Sequence, residues 1–196
     1  MLEVLTGSGL AVAAGLNAYI PLLILGLAGR VFTFVELPGA WAWLENPWVL
    51  VVLGLLLIVE IIADKVPVVD SINDWIQSVV RPAAGGIAFG TGAASETAVV
   101  TDPAAFFTSN AWVPVVIGVV LAFATHTAKM LARPALNAAT AGAAAPVVSA
   151  VEDFSSVLLS FMALLVPVVG FIVLLGLVTL VVLRIRRSRR ARLVRP

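Results

Sequence analysis

Apolar residues run along this chain in blocks long enough to cross a bilayer, and polar residues collect at the block edges. Residues 8–28, 48–63 and 157–183 are such blocks, the last with no charged residue before Arg184. A helix needs roughly 20 mainly apolar residues to cross about 30 Å of hydrocarbon. Residues 111–128 repeat the pattern with His126 near the end. Two Ala- and Gly-rich stretches follow matching Arg-Pro pairs: residues 83–100 after Arg81-Pro82, and 135–151 after Arg133-Pro134. Their hydropathy is modest, but small side chains suit helices packed among other helices, and Gly86-Ile-Ala-Phe-Gly90 is a GxxxG pattern. The pattern predicts an all-α polytopic membrane bundle of about six transmembrane helices, two of them short and Ala/Gly-rich.

Between the second and third blocks, Ile72, Trp75, Ile76 and Val79 recur at helical spacing after Asp70, a candidate N-cap. This predicts a short amphipathic helix over residues 71–80 at the cytoplasmic interface. The second and third blocks also align with the fourth and fifth: an apolar helix, a lysine (Lys65 or Lys129), Arg-Pro-Ala, then a glycine (Gly90 or Gly142). That alignment suggests a parallel internal repeat of helical hairpins, a form some transporters use.

Composition sharpens the class. Sixty-one per cent of the residues are hydrophobic and 12% charged, against about half and a quarter in soluble domains. The net charge of +1 conceals an asymmetry, because seven of the ten arginines lie between Arg184 and Arg195. Directly after an apolar block, such a run marks a cytoplasmic end and an anchor for anionic lipid, and does not call for nucleic acid. The chain divides into one transmembrane domain over residues 1–183 and a cytoplasmic tail over 184–196. With six spans both termini are cytoplasmic, Lys65, Arg81, Lys129 and Arg133 fall inside, and Glu152-Asp153 marks the outer end of the fifth span. The acidic start Met1-Leu2-Glu3 lacks the basic region of a signal peptide. Cysteine is absent, which removes disulfides and thiolate sites.

Ionisable groups inside a span cost at least about 2.5 to 3.5 kcal/mol near the helix centre, so they face a cavity, a partner or a path. Glu60 and Asp64 are four apart and share one helix face. His126, Lys129 and Arg133 reach a similar depth on the fourth helix. One reading is a cytoplasm-facing vestibule in which Glu60, Asp64 and His126 bind or relay a cation or proton, and Lys65, Arg81, Lys129 and Arg133 hold an anion or lipid phosphate. The other is a set of interhelical ion pairs, such as Glu60 with Lys129 or Asp64 with Arg133, that locks the bundle. Asn17, in Gly15-Leu-Asn17-Ala-Tyr19-Ile-Pro21, adds a polar group beside a carbonyl freed by Pro21. Asn137 completes the polar set of the helices, with Asp70 and Asp74 on the connecting segment. Enzyme signatures such as a Walker loop, HExxH or GxSxG are missing. Asp64, Asp70 and Asp74 could hold Mg²⁺ against a phosphorylated lipid if they converged.

The string Glu60-Ile-Ile-Ala-Asp64-Lys65-Val-Pro67-Val-Val-Asp70, followed by Asp74 and Arg81-Pro82-Ala-Ala-Gly85, resembles a bacterial membrane family, domain of unknown function 4126. Gly15-Leu-Asn17-Ala-Tyr19 and His126-Thr-Ala-Lys129 with Arg133 fit it too. The resemblance covers most of the chain to about Pro167 and implies a compact helical membrane fold, with no activity attached. The residues themselves suggest a small transporter or channel for an ion or small polar solute in a bacterial inner membrane, self-associating, with no cofactor. The alternatives are an accessory membrane subunit that binds lipid or a larger complex, and the Mg²⁺-dependent lipid enzyme.

Overall fold

The computed structural model describes residues 2–33, 35–65, 67–93, 110–141 and 143–166, with residues 172, 175, 176 and 179 beyond them. The elements are α1 (Leu2–Leu16), α2 (Tyr19–Val31), a 3-10 turn (Ala42–Glu45), α3 (Pro47–Ala63), α4 (Pro67–Gly92), α5 (Trp112–Thr140) and α6 (Ala145–Leu165). All the regular structure among the described residues is helical. The C-terminal arginines and most of the stretch after Val166 lie outside them.

Small residues let the helices approach. A Cβ on Gly118 would meet the Gly85 carbonyl, and one on Gly86 would meet Val115 and Val119, so α4 and α5 pack backbone to backbone. Gly7 lies against Phe89, Gly9 against Ala163, and Gly15 against Ala122 and Thr125. Together with Arg81 on Gly15, Ser156 on Ala13 and Ser78 on His126, these pairs make α1 antiparallel to α4 and α6, and α4 antiparallel to α5.

The first apolar block is not one span. The helix stops at Leu16 and restarts at Tyr19. Gly26 of α2 packs on Leu44 and Leu50, and Trp41, whose carbonyl accepts from the Leu44 amide, lies on Gly90 near the end of α4. Glu45, one residue beyond Leu44, lies against Gly29. These contacts bring the far end of α2 back to the side of the bundle where α1 began. The pair is therefore a re-entrant hairpin of two half-length helices with Asn17 and Ala18 at its tip, both fully buried. Pro21 does not break the chain, because it falls in the first turn of α2, where a backbone donor has no intrahelical use.

Three other expectations change. The segment over residues 71–80 is part of α4, which continues through Arg81-Pro82 to Gly92. Its apolar stripe, Ile72, Trp75, Ile76 and Val79, faces outward as the spacing predicts, while Asp74 and Gln77 turn into the bundle. Likewise α5 runs on through Arg133-Pro134 to Thr140. Residues 135–151 thus form no single span: α5 ends at Thr140, Ala141 lies in the left-handed region, and a new helix, α6, starts at Ala145. The second hairpin of the proposed repeat is absent for the same reason.

The surface is strongly apolar, and a charged cluster lies beside an apolar core. Trp48, Val51, Val52, Leu55, Ile58, Val59 and Ile62 of α3 are exposed, as are Val120, Phe123 and Leu131 of α5 and Val147, Val151 and Phe154 of α6. The buried set includes Asn17, Glu60, Asp64, Asp74, Arg81, His126, Lys129 and Arg133. Helices α5 and α6 are long and apolar enough to cross a membrane, and most of each apolar stretch faces outward.

Candidate functional site

Only Leu53 and Glu60 of α3 are buried, and its C-cap, Asp64, continues the same face at heptad-like spacing. That face lays two carboxylates against a basic row. Arg81 reaches Glu60 Oε1 at 2.8 Å and Asp64 Oδ2 at 3.6 Å. Lys129 lies 3.2 Å from Asp64 and 3.1 Å from Glu152, and Arg133 lies 3.4 Å and 2.5 Å from the same two groups. Asn73 donates to the remaining Asp64 oxygen at 2.9 Å. Lys129 and Arg133 are four apart on α5, one turn of a single face. Each cation thus bridges two carboxylates, which tie α3, α4, α5 and α6 together.

A second chain of hydrogen bonds leaves this lattice through His126. Arg81 Nη1 is 3.2 Å from His126 Nδ1. A guanidinium only donates, so Nδ1 is the acceptor and the ring proton sits on Nε2. Nε2 lies 3.1 Å from Ser78 Oγ and 3.3 Å from the Asp74 carbonyl. Ser78 in turn donates to that carbonyl at 2.8 Å. Glu60, Arg81, His126, Ser78 and the Asp74 backbone form one connected path.

The tip of the re-entrant hairpin closes the site from the other side. Asn17 Oδ1 accepts from the Tyr19 and Ile20 amides, and its Nδ2 donates to Asp153 at 2.9 Å. Arg81 also donates to the Gly15 carbonyl at 3.4 Å, and Ser156 to the Ala13 carbonyl at 2.9 Å. Backbone freed at a helix break inside a bundle needs such partners. At about 1.5 Å per residue, His126 stands roughly 21 Å from either end of α5, while Asp64 caps the end of α3.

Of the expected residues, Asn17, Glu60, Asp64, Asp74, Arg81, His126, Lys129 and Arg133 converge here. Lys65 does not: it is exposed and donates back to the Ile61 carbonyl. Asp70 and Asn137 lie on α4 and α5, with side chains outside the described set. Asp64 with Arg133 is an ion pair as anticipated, whereas Glu60 takes Arg81 in place of Lys129. Glu152 and Asp153, expected on an outer rim, are part of the site because residues 135–151 make no crossing. The signal for them was the stripe Ser149, Glu152, Asp153, Ser156 and Ser160, polar groups at helical spacing in an apolar stretch. Among the described residues, no group of three carboxylates or histidines is placed to hold a metal. Four buried side-chain oxygens, Glu60 Oε2, Asp74 Oδ1, Gln77 Oε1 and Ser149 Oγ, have no hydrogen-bond partner among the described residues.

A family model described as a domain of unknown function, DUF4126, matches residues 4–187. The chain belongs to this family. The match spans every helix of the site, from the Asn17 tip to Ser160 on α6. No curated protein and no solved structure matches the chain.

Proposed function

We propose that this protein is a membrane-embedded carrier or channel for a small cation or proton, and that the charge network is its ion-handling centre in a closed form. The apolar exterior supports placement in a bilayer, since the exposed face of α3 alone would be costly in water. The re-entrant hairpin supports transport, because broken helices at mid-membrane commonly surround ion sites. One observation carries the reading: the described interior holds five carboxylates (Glu60, Asp64, Asp74, Glu152, Asp153) against three cations (Arg81, Lys129, Arg133). A lattice that only locks helices would have no need of the two surplus acids, whereas a site that takes up cations does.

The experiment is flux into liposomes containing the purified protein, across a panel of ions and pH gradients, for wild type and Glu60→Gln. Wild-type flux that falls at least tenfold in the variant supports the reading. Absence of flux under every condition favours the second reading, an accessory subunit whose buried pairs hold the bundle rigid for a partner. That alternative draws on the near-complete burial of Glu60, Asp64 and Arg81. A bacterial inner membrane, anionic lipid at the terminal arginines, a cytoplasmic C-terminus and self-association belong to the same proposal.

A further inference from the structure

Asp74 differs from the other interior acids. Glu60, Asp64 and Glu152 each touch at least one cation, and Asp153 accepts from Asn17. Asp74 is 7% exposed and makes no ion pair among the described residues, and its Oδ1 is buried without a partner. An ionised carboxylate held that way loses its hydration with no hydrogen bond to Oδ1 and no direct ion pair in return. Three residues on, on the same face of α4, the Gln77 side-chain oxygen is also buried without a donor. One hydrogen placed on the Asp74 carboxyl would offer a donor to the Gln77 acceptor one turn along the same face.

We propose that Asp74 is a proton-binding site, neutral in this closed form, with its carboxyl hydrogen directed to Gln77, and that this proton is the ion exchanged by the interior. The idea rests on the ion-handling reading above and narrows it to one ion. The surroundings exclude a metal ion on chemical grounds. Arg81 on the same helix, Lys129 on α5, Asp64 of α3 and Glu152 of α6 act on the Asp74 carboxyl, and His126 meets its backbone carbonyl. A metal would need several oxygens converging beside those cations, and the described residues supply no such set. A proton needs one lone pair. His126 cannot relieve Asp74 of its proton here, because its Nε2 already carries hydrogen and its Nδ1 is held by Arg81.

Infrared difference spectroscopy of the full chain in lipid bilayers tests this directly. At neutral pH, wild type should show the C=O stretch of a protonated carboxyl that resists rapid hydrogen–deuterium exchange. Asp74→Asn should abolish it, and Gln77→Leu should shift it to higher frequency through loss of its acceptor. A wild-type spectrum without the band overturns the proposal, whatever the variants do. So does a band that survives in folded Asp74→Asn. The two readings fail separately: a band with no flux of any ion defeats transport and leaves the proton on Asp74. Flux of another cation without the band defeats the proton site and leaves the carrier.

Discussion

Arg81 donates from Nη2 to Oε1 of Glu60 across 2.8 Å, with both side chains almost wholly out of solvent. Removing one partner of such a pair strands the other, at a cost of about 3–5 kcal/mol. Arg81→Met should therefore lower the melting temperature in detergent far more than Glu60→Gln, which keeps an acceptor for the guanidinium. Arg81→Lys should not restore stability, because an ammonium lacks the fork that serves Glu60 and His126 together. Thermal unfolding followed by helical circular dichroism, with comparable losses in Arg81→Met and Glu60→Gln, would contradict this.

The tip of the hairpin is held by one side chain. Asn17→Ala removes the acceptor for two amides and the donor to Asp153, and caps of this kind contribute about 0.5–2 kcal/mol. Asn17→Asp should be the worse variant, since it keeps the acceptor but sets a second carboxylate against Asp153. The ranking is read from unfolding midpoints, and an Asp variant as stable as wild type refutes the assignment.

Two glycines should behave oppositely. A methyl at Gly118 would strike the Gly85 carbonyl and Phe89, whereas one at Gly54 meets nothing within 4 Å. Gly118→Ala should cost about 1–3 kcal/mol through overpacking. Gly54→Ala should stabilise α3 by up to about 1 kcal/mol through helix propensity. Equal midpoints for the two variants would show that α4 and α5 are not in backbone contact.

The turn between α5 and α6 gives a test of topology. Because the native chain lacks cysteine, single thiols can be placed freely. Thiols introduced at Lys65 and Ala143 should react with an impermeant maleimide from one side of the membrane, and a thiol at Trp43 from the other. Protection of the Ala143 thiol from both sides would restore residues 135–151 as a crossing.

Much of the site was legible because charge inside an apolar stretch has few physical meanings. Glu60 with Asp64, and Lys129 with Arg133, share a face by spacing alone, and both pairs converge. What spacing could not supply was the path of the backbone. Arg-Pro reads as a helix boundary, since proline removes a donor. Yet Pro82 and Pro134 sit inside α4 and α5, where neighbouring helices hold the turn in place. In the first block the opposite error arises: hydropathy registers apolar length, and two half-helices side by side have the length of one span. Asn17, whose amide can cap one half and bind Asp153, was the residue that marked the turn.

The re-entrant hairpin also constrains the order of assembly. Its tip is made early in synthesis, but the groups that satisfy it, Arg81 and then Asp153 and Ser156, emerge only with α4 and α6. In lipid, each unmet backbone group costs several kcal/mol. The hairpin therefore has no side-chain partners for its tip until α4 and α6 have been made, and its stability depends on residues more than sixty positions away.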